Sequence, residues 1–202
     1  MDDNKRFWDR CAGFYTAIQQ RSNRRLYREL CLMCLSRLQP DMEVLELACG
    51  SGQVTYSLCN RVKSWEATDF SEAMIREAEK NPCSAHFSCQ DATCLPYENR
   101  SFDLVLMGNA LHIMPEPEKA LSEIRRVLKD GCLFLAPTFV YEGKVNRLRM
   151  KLTSLIGFKS YGEWTLEELV RFTESAGFEL MEKALLPGSP LPEGFAALRK
   201  AP

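Results

Sequence analysis

The sequence predicts a doubly wound α/β fold: a mostly parallel seven-stranded sheet with helices on both faces and an antiparallel strand pair at its C-terminal end. Three observations carry that expectation. From Glu43 onward, short apolar runs alternate with segments of helical periodicity. One of those runs passes into Gly50-Ser51-Gly52 and then directly into a helix. The last two runs are joined by the turn-rich link PGSPLPEG, with no helix between them, which makes that pair antiparallel.

The elements follow in order. Within residues 1–40, Phe14, Ile18, Leu26, Leu30, Cys34, Leu35 and Leu38 recur at helix-like spacing, and Pro40 closes the stretch. EVLEL (43–47) reads as a buried strand, followed by a helix from the glycine turn to about Arg61. SWEATD (64–69) is the next strand, and Ser71 is a good N-cap for a helix running to Asn81. AHFSC (85–89) and DLVLMG (103–108) are strands three and four. Glu116 to Lys129 reads as a helix ended by Asp130-Gly131, with CLFLAP (132–137) as the fifth strand. Thr165 caps a helix ending at Gly177, with Glu168 completing a capping box. FELMEKALL (178–186) and GFAALRK (194–200) are the final two strands. The stretch 139–163 breaks the alternation. Val145, Leu148, Leu152, Leu155 and Ile156 share one helical face there, with Lys144, Arg147, Arg149 and Lys151 near or opposite it. An insertion at the carboxyl edge of the sheet is expected to act as a lid, with Arg147 toward substrate. A transient membrane-surface contact and a solvated helix face are the alternatives.

Composition narrows the function. The 202 residues suit one domain, with 1–40 as a helical flap and 139–163 as the lid. A net charge of −1 excludes a strongly basic nucleic-acid binder and an acidic disordered tail. No apolar run approaches the roughly 18 residues of a membrane span. The start MDDNKRFWDR lacks the apolar core of a signal peptide, so a cytoplasmic protein is expected. Nine cysteines without a secretory signal read as reduced thiols. Cys31 and Cys34 lie on a helix with no second pair, so small buried hydrophobes are expected there and no metal. Cys49 and Cys94 are placed to face cofactor or substrate.

The segment VLELACGSGQV is the most informative. Glycines are needed where backbone approaches a ligand closely, and ligands of open α/β sheets bind outside the carboxyl ends of the strands. An acidic residue about 20 positions on suits ribose hydroxyls, and Asp69 follows the second strand at that distance. The dinucleotide fingerprint fails at its third glycine, where Thr55 stands, and Glu46 at the turn suits an ammonium group and repels a pyrophosphate. An NAD-dependent oxidoreductase is therefore the weakest of three functional readings.

ELACGSG resembles the first motif of the class I S-adenosylmethionine-dependent methyltransferases. TDFSEAMI resembles the second, and CQDATCLPYENRSFDLVLMGNALHIM the third and fourth motifs of the ubiquinone and menaquinone biosynthesis branch. RRVLKDGCLFLAP and the N-terminal FWDRCAGFY are similar to that branch as well. The resemblance implies a Rossmann-like methyltransferase fold, S-adenosylmethionine as cofactor and a small-molecule acceptor, aromatic or lipophilic. It implies that Glu46 orients the methionine end of the cofactor and that Ala48, Cys49, Gly50 and Gly52 line the loop. Asp69 is then the ribose ligand, with Phe70 and Met74 beside the adenine. Asp91 accepts from the adenine amino group next to Ala92, and Asn109 closes the methionyl side. Ala48 departs from the more usual glycine. His112 is the candidate general base, with packing as its alternative. Tyr15 is placed near the methyl donor if the N-terminal segment is a flap. A cofactor-binding regulatory module without turnover is the second functional reading.

Overall fold

The computed structural model describes residues 3–142, 160–188 and 191–201, with backbone alone at Asp3 and over 14–22. Two helices lead, α1 (Asp3–Ser22) and α2 (Arg24–Leu35). Strand β1 (Glu43–Leu47) follows, then α3 (Thr55–Leu58), a 3-10 turn at Cys59–Arg61, β2 (Ser64–Asp69) and α4 (Glu72–Ala78). Next come β3 (His86–Cys89), β4 (Phe102–Met107), a 3-10 turn at Leu111–Ile113, α5 (Pro117–Val127) and β5 (Leu128–Leu135). The chain closes with β6 (Thr138–Phe139), α6 (Leu166–Ser175), β7 (Phe178–Leu186) and β8 (Glu193–Lys200).

The sheet runs β3-β2-β1-β4-β5-β8-β6, with β7 pairing β8. The pairs from β3 to β5 are parallel, and β8 is antiparallel to β5, β6 and β7. The expected fold class stands, with eight strands in place of seven. The extra one is β6, two residues that pair with Gly194 and Glu193 at the edge of the stretch assigned to the lid. Alternation along β1 explains the layering. Leu45 and Leu47 point into one core with Leu121, Ile124 and Val127 of α5, while Val44 points into a second core with Leu26, Leu30 and Cys34 of α2. A strand buried on both faces must be apolar on both, which is why EVLEL shows no polar alternation. Among its buried positions the polar interruption is Glu46, on the α2 face.

Several boundaries differ from those expected: α4 stops at Ala78 rather than Asn81, and two others change the local structure more. The helix expected to reach Lys129 stops at Val127, and β5 starts at Leu128, where it pairs with Phe102. Lys129 then donates to Asp103, and Gly131 at φ 72° lets the strand bulge between its two registers instead of ending a helix. The helix after the glycine turn begins late, at Thr55, and is completed by the 3-10 turn. The segment expected as a basic amphipathic helix, 144–156 with Arg147, lies outside the described residues. Its flanks are anchored: Val140 N–H donates to Pro192 O at 3.0 Å, and Tyr161 and Gly162 N–H donate to His112 O at 2.8 and 2.9 Å.

β1 lies between β2 and β4, so the order of connections reverses beside it. That switch point opens a crevice at the carboxyl ends of the strands. Its floor depends on the α5 core. Ile124 has no exposed surface, so Ile124→Ala should lower stability by about 2–5 kcal/mol in urea unfolding.

Candidate functional site

The chain leaving β1 turns at once. Ala48, Gly50 and Gly52 all take positive φ, at 54°, 56° and 80°. For Ala48 this left-handed conformation carries a steric cost of about 1–2 kcal/mol that glycine would not bear. The turn is tied to the end of β2. Cys49 N–H donates to Thr68 O at 2.9 Å, and Gly50 N–H donates to Asp69 Oδ2 at 2.9 Å. Ser71 N–H donates to the other oxygen, Oδ1, at 2.9 Å. Ser71 Oγ in turn accepts from Met74 N–H and caps α4. Asp69 is thus fixed from both sides, with one backbone N–H on each oxygen. Each oxygen keeps a lone pair for a ligand. Burial pushes the Asp69 carboxyl up to about 6 against the pull of those two N–H groups, so it is ionised at neutral pH.

A cavity of about 350 Å³ opens above this grip. It is lined by eight of the eleven expected cofactor residues: Ala48, Gly50, Asp69, Phe70, Met74, Asp91, Ala92 and Asn109. Asp91 Oδ1 accepts from Thr93 N–H and Oγ1 at 2.8 and 2.7 Å, which orients its carboxylate at the rim. The charged residues of the lining are Asp69, Asp91 and Glu116, all acidic, with no lysine or arginine among the described lining residues. Such a lining favours a cationic ligand over a pyrophosphate. The size, the paired acceptors of Asp69 and the apolar walls of Phe70 and Met74 fit S-adenosylmethionine, whose ribose diol, adenine and sulfonium they would hold.

Three of the expected residues sit behind the loop. Glu46 is 4% exposed, and its Oε2 accepts from Thr55 Oγ1 at 2.6 Å and Trp65 Nε1 at 2.9 Å. Burial pushes its carboxyl up to about 7, against those two hydrogen bonds and with the help of nearby Asp69. Cys49 turns into the α2 core, and burial raises its thiol well above the ordinary value. A Cβ on Gly52 would meet the Tyr56 ring at 3.1 Å, so Gly52 gives the turn room over that ring. Cys94 is exposed and outside the cavity lining.

His112 is buried beneath the cavity wall. Its Nδ1 lies 2.9 Å from Thr138 Oγ1, its ring meets Phe139 edge to face, and burial pushes its pKa down to about 4. The cavity is lined instead by its neighbours Ala110, Ile113 and Met114. Tyr15 lies on α1, in the part whose side chains are outside the description.

The sequence suggests a flap over residues 1–40 with Tyr15 as its residue near the methyl donor; it does not single out the α1 residues that line the cavity. Asn4 and Trp8 of α1 line the cavity. The helix is latched at two points: Asn4 Nδ2 donates to Ile113 O at 2.8 Å, and Ser71 Oγ donates to Asp9 Oδ1 at 2.6 Å. The aromatic run Phe7-Trp8 was the available signal. Pro115 and Glu116 had none, because they line the cavity from an irregular link before α5.

The buried acid at position 46 has a measurable consequence. Its folded pKa lies above the ordinary 4.5, so the folded protein holds an extra proton between about pH 4.5 and 7. The associated stability is full below that window and lost by its upper end. Glu46→Gln keeps the acceptor for Thr55 and Trp65 without the charge. In urea unfolding of ligand-free protein, the variant should gain on the parent between pH 5 and 7.5; a gap that does not change with pH contradicts the burial argument.

Comparison with known proteins agrees with the geometry. A family profile described as a methyltransferase domain matches residues 44–131. The demethylmenaquinone methyltransferase of Renibacterium salmoninarum is 34% identical over 105 residues, which cover 50% of this chain and 44% of that protein. The chain spans less than half the length of the curated relatives it matches most strongly. Among solved structures, a chain of the Haloferax volcanii complex between the Trm112 methyltransferase activator and a methyltransferase superposes with a TM-score of 0.81 at 18% identity, over 96% of this chain and 98% of that one. A SAM-dependent methyltransferase of Methanosarcina mazei superposes at 0.69 with 21% identity, over 84% and 97%. These two show the shared fold, and the profile match shows that residues 44–131 are similar to a methyltransferase domain. With its motifs in order and this sheet topology, the chain resembles the class I S-adenosylmethionine-dependent methyltransferases, and within them the demethylmenaquinone branch.

Proposed function

We propose that the protein transfers the methyl group of S-adenosylmethionine to a small-molecule acceptor, aromatic or lipophilic. The observation that carries this reading is the cavity lining: an oriented, ionised Asp69 with further acids at the rim and no cation among the described lining residues. Bound, the cofactor supplies a sulfonium methyl that is already electrophilic. The chain's task is then alignment and water exclusion. Asp69 would hold the ribose diol, Phe70 and Met74 would hold the adenine, and Asp91 would meet its amino group. Ala48 and Gly50 bring backbone against the amino-acid end, with Glu46 fixing the loop from behind through Thr55. Trp8 of α1 and Ile113, Met114 and Pro115 give the cavity an apolar outer wall, which suits a lipophilic acceptor. The likeness to demethylmenaquinone methyltransferases supports the same class of acceptor.

No proton transfer is assigned to His112. Its ring is neutral at physiological pH, and its Nδ1 is engaged with Thr138. Its backbone oxygen takes the N–H groups of Tyr161 and Gly162, which ties residues 161–162 to the 3-10 turn after β4.

Calorimetry tests the reading. The parent protein should bind S-adenosylmethionine and S-adenosylhomocysteine and should not bind NAD. Asp69→Ala should weaken both by at least about tenfold, as expected for losing two hydrogen bonds to a charged acceptor. Binding of NAD alone, or unchanged affinity in Asp69→Ala, would overturn the assignment. Binding without turnover across a broad panel of phenols, amines and thiols would leave a cofactor-binding module.

A further inference from the structure

Across β1 from Asp69, the chain leaving β4 places Asn109 on the cavity wall in a left-handed conformation, φ 53°. Both ends of its carboxamide are held. Phe139 N–H donates to Oδ1 at 3.0 Å, and Nδ2 donates to Glu193 Oε2 at 3.1 Å. A backbone N–H can meet only the oxygen end, so the donor end must face Glu193. One Nδ2 hydrogen is then spent on Glu193 and the second remains for a ligand.

Glu193 is an unusual residue for the first position of β8. It is 1% exposed, and its Oε1 has no hydrogen-bond partner among the described residues. The strand does not need it. The pairing of Glu193 with Phe139 and with Leu186 is made by backbone, and the next residues on its face are Phe195 and Ala197, both in the apolar α2 core. A leucine would fill the place without leaving a buried oxygen orphaned, at a lower cost to the fold. The left-handed Asn109 and the half-satisfied Glu193 are in direct contact at the edge of the ligand cavity. Local costs of this kind concentrate where a site must be held in one geometry.

We propose that Glu193 is a positioning residue for the cofactor's amino-acid end. It locks Asn109 so that the free Nδ2–H faces the cavity as a donor for the methionyl carboxylate. This inference rests on the S-adenosylmethionine reading above. It makes the Glu193–Asn109 pair responsible for preferring ligands that carry the amino-acid end over those that carry adenosine alone.

Two ligands and three variants test it. S-adenosylhomocysteine has the amino-acid end; 5′-methylthioadenosine has the same adenosine without it. The parent should bind both. Glu193→Leu should bind S-adenosylhomocysteine about tenfold more weakly, the scale of one charge-assisted hydrogen bond, and bind 5′-methylthioadenosine as the parent does. Its ligand-free melting temperature should be unchanged or higher, because an orphaned buried oxygen has been removed. Glu193→Gln, whose Oε1 still accepts from Asn109 Nδ2, should keep the parent affinity. In an Asn109→Gly background, Glu193→Leu should have no further effect on either ligand. Equal losses on both ligands, a fall in melting temperature alongside affinity, or parent-like binding of S-adenosylhomocysteine by Glu193→Leu would each overturn the proposal. A parent protein that binds neither ligand would instead overturn the cofactor reading beneath it.

Discussion

The Asp69 carboxylate stands between two turns of chain, with Gly50 N–H on one oxygen and Ser71 N–H on the other. The rest of the site is arranged around that grip. It draws the loop after β1 onto the end of β2, sets the start of α4 through Ser71, and leaves two aligned acceptors facing the cavity. Parallel pairing of β1 with β2 makes the grip possible. With Leu47 opposite Thr68, the turn just past β1 comes within hydrogen-bonding distance of Thr68 and Asp69 at the end of β2. The same serine donates to Asp9, so the roof helix is referenced to the Asp69 grip through a single hydroxyl.

Buried acids shape the electrostatics of this sheet edge. Asp69, Glu46 and Glu193 are each nearly removed from solvent, and burial raises all three carboxyls. Their environments separate their roles. Asp69 keeps two backbone donors and faces the cavity, so it stays the charged partner there. Glu46 has both its donors on one oxygen and sits behind the loop, where it ties β1 to Thr55 and to Trp65 of β2. Glu193 has a single donor among the described residues, Asn109. With acids also at Asp91 and Glu116, the crevice has a negative field suited to a sulfonium or ammonium ligand and unsuited to a diphosphate.

The roof is built from local chemistry that periodicity does not mark. Asn4 and Trp8 meet the cavity because α1 crosses the carboxyl edge and is latched to Ile113 and Ser71. His112 shows the converse. Its position after β4 suggests a base, yet the 3-10 turn at Leu111–Ile113 rotates its ring inward to Thr138 and presents Ile113 and Met114 to the cavity. A one-residue rotation within a short turn is below the resolution of any spacing argument.

The amino-acid sequence by itself determined the layered α/β architecture, because apolar runs buried on both faces and alternating with amphipathic helices have few other ways to hide their surface. It also determined the glycine turn and the acid that follows it, because such a turn requires positive φ, and the second strand must end beside it. The tertiary structure decided what lies behind the loop and what lies over it. Glu46 and Cys49 are neighbours of the cavity-lining residues in sequence, but the pleat and the left-handed turn send their side chains to the opposite side, and Gly52 lies over the Tyr56 ring. The tertiary structure also decided the contact of Asn109 with Glu193, 84 positions apart, because it arises only when β8 inserts antiparallel beside β5. Local pattern reports which face a residue occupies; only the pairing of distant strands reports what it meets there.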